Sequence, residues 1–126
     1  MNVYPVARSA LLRGDVDLEA NPLTLTPVGP VFTYDAGHVV LADIAGTVGP
    51  AVAVTITGIT NGEVTADPVL FTAVADGVSV RGLVLAVVAT SMLVAHIDRR
   101  ADAVPLTALG NGGDITFTFP DYLVKI

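Results

Sequence analysis

The sequence has no cysteine and no tryptophan, and Lys125 is its single lysine. Without cysteine the chain has no disulfide and no thiol chemistry, so cysteine usage indicates no redox compartment. Nucleic-acid binding depends on basic residues that neutralise phosphates. This chain has six basic residues against twelve acidic ones, a net charge of −6, and its longest basic run is Arg99-Arg100. The composition therefore predicts no nucleic-acid partner.

Charge of either sign is scarce, while apolar residues are abundant. Of the 126 residues, 52% are hydrophobic and 14% are charged. This length predicts one domain with a core that needs no metal or disulfide to hold it. A surface with few charges favours association, so the composition also predicts a homo-oligomer or a chain covered by partners. The N-terminus lacks the basic start and apolar core of a signal peptide, which predicts a protein that stays or assembles in a cytoplasm.

The longest apolar stretch predicts the centre of the fold. It contains two runs, Val80 to Val88 and Met92 to Ile97, separated by a possible turn at Ala89-Thr90-Ser91. Strands that are buried on both faces have continuous apolar sequences, and the β-branched content favours strands here. We therefore predict two adjacent central strands that pair as a hairpin.

The alternative for this stretch is a membrane helix. A helical span needs about 20 apolar residues. The uninterrupted apolar run from Gly82 to Ala95 is shorter than that, and Arg81 and His96 close it at its two ends. The sequence thus predicts no membrane span.

Alternating apolar and polar residues predict further strands. The runs are Leu23–Val28, Ala51–Thr60, Val69–Val74, Ile115–Phe119 and Leu123–Ile126. Asn61-Gly62 predicts a tight hairpin turn, because both central residues of such a turn have positive φ. In Leu23–Val28 the threonines predict one solvated face, and Pro27 predicts a strand end or a sheet edge.

These patterns together predict an all-β chain with seven or eight short strands. The predicted fold is a single-domain antiparallel β-sandwich or partly closed barrel over residues 15–126. Residues 1–14 form an N-terminal helix or arm, with a helix over Val3–Leu12 that ends at Gly14. Thr33–Ile44 is ambiguous, since Asp35 could cap a short helix there while its β-branched residues disfavour one.

Chemical motifs are weak, and the first concerns the two histidines. On a strand, His96 and Asp98 share a face, so the pair could bind a metal or orient an imidazole as a general base. A zinc site needs three or four converging ligands, and neither this pair nor His38 has the further ligands at a recognisable spacing. We therefore predict no catalytic residue, no metal site and no cofactor.

Other candidates also lack their sequence context. Ser9, Ser79 and Ser91 could supply a nucleophile, but none lies in the Gly-x-Ser-x-Gly turn of hydrolases. The segment Gly110–Gly113 lacks the lysine of a phosphate-binding loop and precedes a strand, so it predicts a glycine-rich hairpin loop. The acidic residues that could approach a calcium ion lack the spacing of a known calcium loop; they are Asp98, Asp102 and Asp114.

Four segments in order resemble a family of small virion structural proteins of tailed bacteriophages. The first is Ala10-Leu11-Leu12-Arg13-Gly14-Asp15-Val16-Asp17-Leu18, which matches the family's pattern ALL-x-G-D-x-D-L before its first strand. The second consists of Tyr34, His38, Leu41, Asp43 and Ile44, and the third of Leu93, Ala95, Ile97 and Asp98. The fourth is Asn111-Gly112-Gly113-Asp114-Ile115-Thr116-Phe117. The chain departs from the family around Val48 to Ala53, which is more apolar, and it lacks a tryptophan in the last strand.

The resemblance implies a protein without enzymatic activity that is located in the virion and assembled in the host cytoplasm. Its implied role is a capsid decoration or accessory subunit that binds the major capsid protein, with a trimer favoured by the threefold positions of a capsid lattice. A tail or neck component of the same particle is the alternative. A small β-sandwich carbohydrate-binding module is a further one, although three tyrosines and no tryptophan offer few aromatic platforms.

Overall fold

The computed structural model describes all 126 residues. Its elements, in chain order, are β1 (Asn2–Val3), α1 (Pro5–Arg13), β2 (Leu23–Val28), a 3-10 turn (Leu41–Asp43), β3 (Val52–Val54), β4 (Ile56–Thr60), β5 (Glu63–Ala66), β6 (Val69–Phe71), β7 (Ser79–Val80), β8 (Gly82–Val87), β9 (Leu93–Ile97), β10 (Ala108–Leu109), β11 (Ile115–Phe117) and β12 (Val124–Lys125). The predicted all-β class is confirmed. All the sheets are antiparallel, and the arrangement is sandwich-like, with no sheet closed into a barrel.

The predicted central hairpin is confirmed. Strands β8 and β9 pair antiparallel, with Leu83 opposite Ile97 and Leu85 opposite Ala95. They lie in the middle of a five-stranded sheet of order β1-β9-β8-β2-β3, and every residue of β8 is buried. The hairpin therefore forms the centre of the larger sheet.

Both faces of the larger sheet are covered, which explains the continuous apolar sequence of β8. Leu83 and Leu85 belong to the main core of 21 buried residues, which also contains Val64 and Val124 of the three-stranded sheet β12-β5-β4. Val84 belongs to a second buried cluster on the opposite face. That cluster also contains Tyr4, Val28 and Leu93, and Phe32, Tyr34, Leu41 and Ile44 pack against it.

Strand β2 corrects two sequence predictions. It lies between β8 and β3 rather than at a sheet edge, and its Thr26 is buried rather than solvated. In an antiparallel strand the nitrogen and the carbonyl of one residue point to the same side. At Pro27 this is the side of β3, and β3 does not extend to this position, so the missing N–H of proline costs no hydrogen bond between strands. There the carbonyl of Pro27 accepts a 2.9 Å hydrogen bond from the backbone N–H of Val48.

The Asn61-Gly62 turn is confirmed, and it joins β4 to β5. Asn61 has φ 54° and Gly62 has φ 78°, the conformation that such a tight turn requires. The single strand predicted over Ala51–Thr60 is wrong, because the chain divides it at Thr55. Strand β3 joins the five-stranded sheet, whereas β4 belongs to the three-stranded one.

Residues 1–14 pack on the larger sheet. Strand β1 pairs with β9, and α1 buries Ala7 and Ala10. Gly14 ends the helix in the left-handed region with φ 78°, as predicted. Leu12, an apolar residue in the last turn of α1, is 89% exposed. No helix in the structure has the length and hydropathy of a membrane span.

The remaining strands are shorter than predicted. Strands β6 and β11 pair with Phe71 opposite Ile115, and β12 pairs with β5 at the edge of its sheet. Asp35 does not cap an α-helix. Its carboxylate accepts a 2.8 Å hydrogen bond from the N–H of Gly37, which makes a local turn, and a single 3-10 turn follows.

Candidate functional site

A polar cavity of about 480 Å³ lies at the end of the central hairpin. Its ten lining residues include Phe32, Arg81, His96, Asp98, Arg99 and Pro105. We call it the Arg81–Arg99 cavity. Arg81 immediately precedes β8, while Arg99 follows the end of β9. Because antiparallel strands place the start of one beside the end of the other, the two arginines meet at one cavity.

Asp98 in this cavity does not orient His96. Its Oδ1 lies 2.6 Å from the N-terminal ammonium of Met1 and accepts a hydrogen bond from it. Burial raises the pKa of Asp98, but the hydrogen bond and charge of this ammonium, together with His96, outweigh burial and lower the pKa below its usual value. The carboxylate is thus committed to the N-terminus.

His96 is a half-buried imidazole whose Nδ1 has no hydrogen-bond partner. Burial lowers its pKa, Asp98 opposes this by a smaller amount, and the N-terminal ammonium adds the smallest lowering effect. The ring lies 4.6 Å from that of Phe32 and 6.5 Å from that of Tyr34, between centroids. Aromatic contacts therefore hold the imidazole, and burial favours its neutral form.

Tyr4 continues this aromatic layer beneath Tyr34, at a centroid distance of 4.9 Å. Its side chain is fully buried, and its hydroxyl has no hydrogen-bond partner. Burial, followed by the charges of Tyr34 and Asp35, raises the pKa of Tyr4 to about 12. Tyr4 is therefore a neutral core residue over the working range of pH.

His38 lies at a different site. Its Nε2 is 3.8 Å from Asp35, and it lines a separate cavity with Asp43. Hydrogen bonds from the N–H groups of Val40 and Val39, each 3.0 Å long, lower the pKa of Asp43. The fold thus does not bring the two histidines together.

The three serines considered as nucleophiles are also apart. Ser79 Oγ accepts a 3.0 Å hydrogen bond from Nε of Arg81. Ser9 is exposed on α1, and Ser91 lies in the hairpin connection with φ 57°. None of the three forms a hydrogen bond with a histidine.

The carboxylates considered for calcium each have a different partner. Asp102 forms a 2.8 Å ion pair with Arg100, and Asp114 accepts a 2.9 Å hydrogen bond from the N–H of Ala73. The hydrogen bonds and charge of Arg100, helped by the N–H of Val104, lower the pKa of Asp102. No group of three or more acidic, histidine or cysteine side chains gathers in the structure.

Gly110–Gly113 is not a hairpin loop, because β10 pairs with β7 and β11 with β6. The segment lies alongside the connection between β6 and β7. The N–H groups of Gly110 and Gly112 each donate a 2.7 Å hydrogen bond, to the carbonyls of Val78 and Val74. These donors are therefore occupied by the protein's own backbone.

A second surface feature is one of the two edges of the three-stranded sheet, the edge formed by β4. In the order β12-β5-β4, the outer side of β4 has no neighbouring strand. Its sequence, ITGIT, carries no charge, and Ile59 is partly exposed. Ile59 also lines an apolar groove of about 440 Å³ with Leu11, Leu18 and Ile126. We call this strand and its groove the β4 edge.

Sequence reasoning found His96 and Asp98 but not the two arginines beside them. The sequence did contain a signal for the two arginines. Arg81 and Arg99 flank the predicted central hairpin, and pairing of its two strands brings the outer ends of these strands together. The sequence did not predict the β4 edge, because the alternating pattern over Ala51–Thr60 indicated one longer strand that included β4. Comparison with known proteins found no matching family model, no matching curated protein and no matching solved structure.

Proposed function

We propose that the protein is a non-enzymatic structural subunit of a virion, a capsid decoration subunit that self-associates and binds the major capsid lattice. The observation that carries the proposal is the β4 edge. A strand with unpaired backbone groups is a template for pairing with another chain, and soluble proteins usually protect it with charge or proline. Strand β4 has neither charge nor proline, and its one irregularity is a register shift between Ile56 and Gly58.

The shape of the edge favours a second copy of this chain as its occupant. Strand β4 is five residues long, uncharged and followed by a tight turn, so an antiparallel pair of β4 strands would meet no charge repulsion. The neighbouring groove would bury further apolar surface. A specific contact of this kind removes about 1,000 Å² or more from water, and cyclic symmetry is the usual arrangement of identical subunits.

The virion part of the proposal is supported by the sequence resemblance. The segment Ala10–Leu18 spans the end of α1 and the connection toward β2, and Asn111–Phe117 leads into β11. Leu93, Ala95 and Ile97 are buried in the central strand. The resembling residues thus lie at the end of α1, in the central strand β9 and in β11.

The arrangement of the aromatic residues disfavours a carbohydrate-binding module. Such a module presents exposed rings as platforms for sugars. Here Tyr4 is buried, and Phe71 and Phe117 pack edge to face in the core with centroids 5.6 Å apart. Tyr34 is partly buried, and its ring packs against that of Tyr4.

The assembly step is tested with Ile59→Lys, which places a charge on the β4 edge. Sedimentation velocity of the wild type should show concentration-dependent self-association, and the variant should remain monomeric. Val88→Lys is the matched control, since Val88 is an exposed aliphatic residue in the hairpin connection of the other sheet. A monomeric wild type, or equal loss in both variants, would contradict a role for the β4 edge.

The virion assignment is tested by electron microscopy of particles produced with and without the protein. The proposal expects added density on the capsid surface that disappears without the protein and returns with the wild type. Density on the tail or neck would assign the alternative location instead. Particles that lack the protein altogether, judged by mass spectrometry of purified virions, would overturn the virion role.

A further inference from the structure

The Arg81–Arg99 cavity has an unusual charge for this protein. The chain carries a net charge of −6, yet the side chains lining this cavity include two arginines. Three of the six basic side chains form ion pairs with carboxylates: Arg13 with Asp15, Arg100 with Asp102 and Lys125 with Glu63. The other three, Arg8, Arg81 and Arg99, form none. Two of these three unpaired arginines thus lie at one cavity.

The one carboxylate that lines the cavity does not neutralise the arginines. Asp98 is paired with the N-terminal ammonium at 2.6 Å, so its charge is already compensated. Arg81 donates from Nε to the neutral hydroxyl of Ser79, which leaves the terminal guanidinium nitrogens without a hydrogen bond to the protein. The charged groups of the cavity therefore leave an excess of positive charge.

His96 also lines the cavity, and one of its ring nitrogens has no hydrogen-bond partner. Its Nδ1 is inaccessible to solvent and unbonded, although buried polar atoms are nearly always hydrogen-bonded. This enclosed nitrogen is not accessible from the cavity, so the groups that a ligand can reach are the exposed guanidinium groups of Arg81 and Arg99. Pro30, Phe32 and Pro105 give the same cavity apolar walls.

We propose that the Arg81–Arg99 cavity binds a carboxylate that is attached to an apolar body. The guanidinium group is planar and donates two parallel hydrogen bonds to a carboxylate, which gives geometric specificity as well as charge. The proline and phenylalanine walls then cover the apolar part. The carboxylate can come from a free small molecule or from an acidic side chain of another protein. This binding is independent of the β4 edge and goes beyond the assembly role.

The first experiment uses benzoate as the free carboxylate, with benzyl alcohol as its uncharged counterpart. The imidazole C–H signal of His96 is followed by NMR and is assigned by its loss in His96→Gln. Benzoate should shift this signal saturably, and benzyl alcohol should not. Arg81→Gln and Arg99→Gln should each weaken binding about tenfold, the usual effect of losing a charge-assisted hydrogen bond.

The matched control is Arg8→Gln, because Arg8 is exposed and unpaired but lies on α1, outside the cavity. It should leave the benzoate affinity unchanged. Thermal melting verifies that all variants are folded. Equal weakening in Arg8→Gln would show a general charge effect and overturn the proposal, and tighter binding of inorganic phosphate than of benzoate would overturn the carboxylate class.

A second titration distinguishes the two sources of carboxylate. It uses a blocked Gly-Glu-Gly peptide, with Gly-Gln-Gly as the control. Tighter binding of the glutamate peptide than of benzoate assigns the cavity to an acidic side chain of a partner, whereas tighter binding of benzoate assigns it to a free molecule. If neither probe saturates the His96 signal in the wild type, the cavity is not a carboxylate site.

Discussion

Gly82 leaves the space that the imidazole of His96 occupies. A Cβ built on Gly82 would lie 3.0 Å from Nε2 of His96 and 3.0 Å from the carbonyl oxygen of Ile97. Both contacts are tighter than a side chain accepts without movement of its neighbours. The first residue of β8 therefore positions the polar group of the Arg81–Arg99 cavity.

Gly82→Ala is expected to destabilise the protein by about 1–3 kcal/mol, the range for overpacking. The added methyl group displaces either the imidazole or the backbone of β9. Gly58→Ala is the matched control, because a Cβ on this strand glycine would meet Thr65 Oγ1 at an ordinary 3.5 Å. Urea unfolding measures both, and an equal effect would contradict the close packing of Gly82.

His96 is expected to make the protein less stable below pH 6.5. Its pKa is lowered in the folded protein, so the unfolded chain binds more protons once the pH falls below 6.5. The stability is therefore complete above that pH and is lost as the pH falls through the folded pKa. The charged groups around the ring are Arg81, Arg99, Asp98 and the N-terminal ammonium.

Urea unfolding at a series of pH values measures this dependence. His96→Gln should remove the decline that begins near pH 6.5, and His38→Gln should retain it. The lowered pKa of Asp98 acts in the same direction, but its contribution starts to be lost only as the pH approaches 3.8, its ordinary value. A decline that persists in His96→Gln would assign it to another group.

Thr26→Val is expected to stabilise the protein by about 1 kcal/mol, because it removes a buried hydroxyl that has no hydrogen-bond partner. Valine has nearly the same shape and a high preference for strands. Thr24→Val is the control on the same strand, since Thr24 is only half-buried. Thermal unfolding compares them. A loss of stability in Thr26→Val would mean that its hydroxyl is hydrogen-bonded.

Gly62→Ala is expected to destabilise the β4–β5 turn by about 1–3 kcal/mol. Its φ of 78° disfavours a side chain, and a Cβ would also lie 2.5 Å from the carbonyl oxygen of Ile126. Gly77→Ala separates the two effects, since Gly77 has φ 82° and nothing within 4 Å of an added Cβ. The Gly62→Ala variant should therefore have the lower melting temperature of the two. Equal melting temperatures would contradict an energetic cost from the close approach to Ile126.

The sequence by itself determined the features that depend on local pattern. Continuous apolar residues specified the central hairpin of β8 and β9, since both faces of these strands need apolar cover. Asn61-Gly62 specified a tight turn through its positive φ values, and Gly14 specified the end of α1 for the same reason. These signals act over a few residues, so they can be read without knowing what packs against them.

Tertiary structure decided which strands are neighbours and which surfaces remain open. Thr26 alternates like a solvated residue, yet a covering layer on the second face of the sheet buries it. The chain between β3 and β4 switches sheets at Thr55, which creates the β4 edge from what looked like one strand. Arg81 and Arg99 meet because the two ends of an antiparallel hairpin lie side by side. The N-terminal ammonium of Met1 forms its ion pair with Asp98, which is 97 positions away in the sequence. Such contacts join residues distant in sequence, so local periodicity carries no information about them.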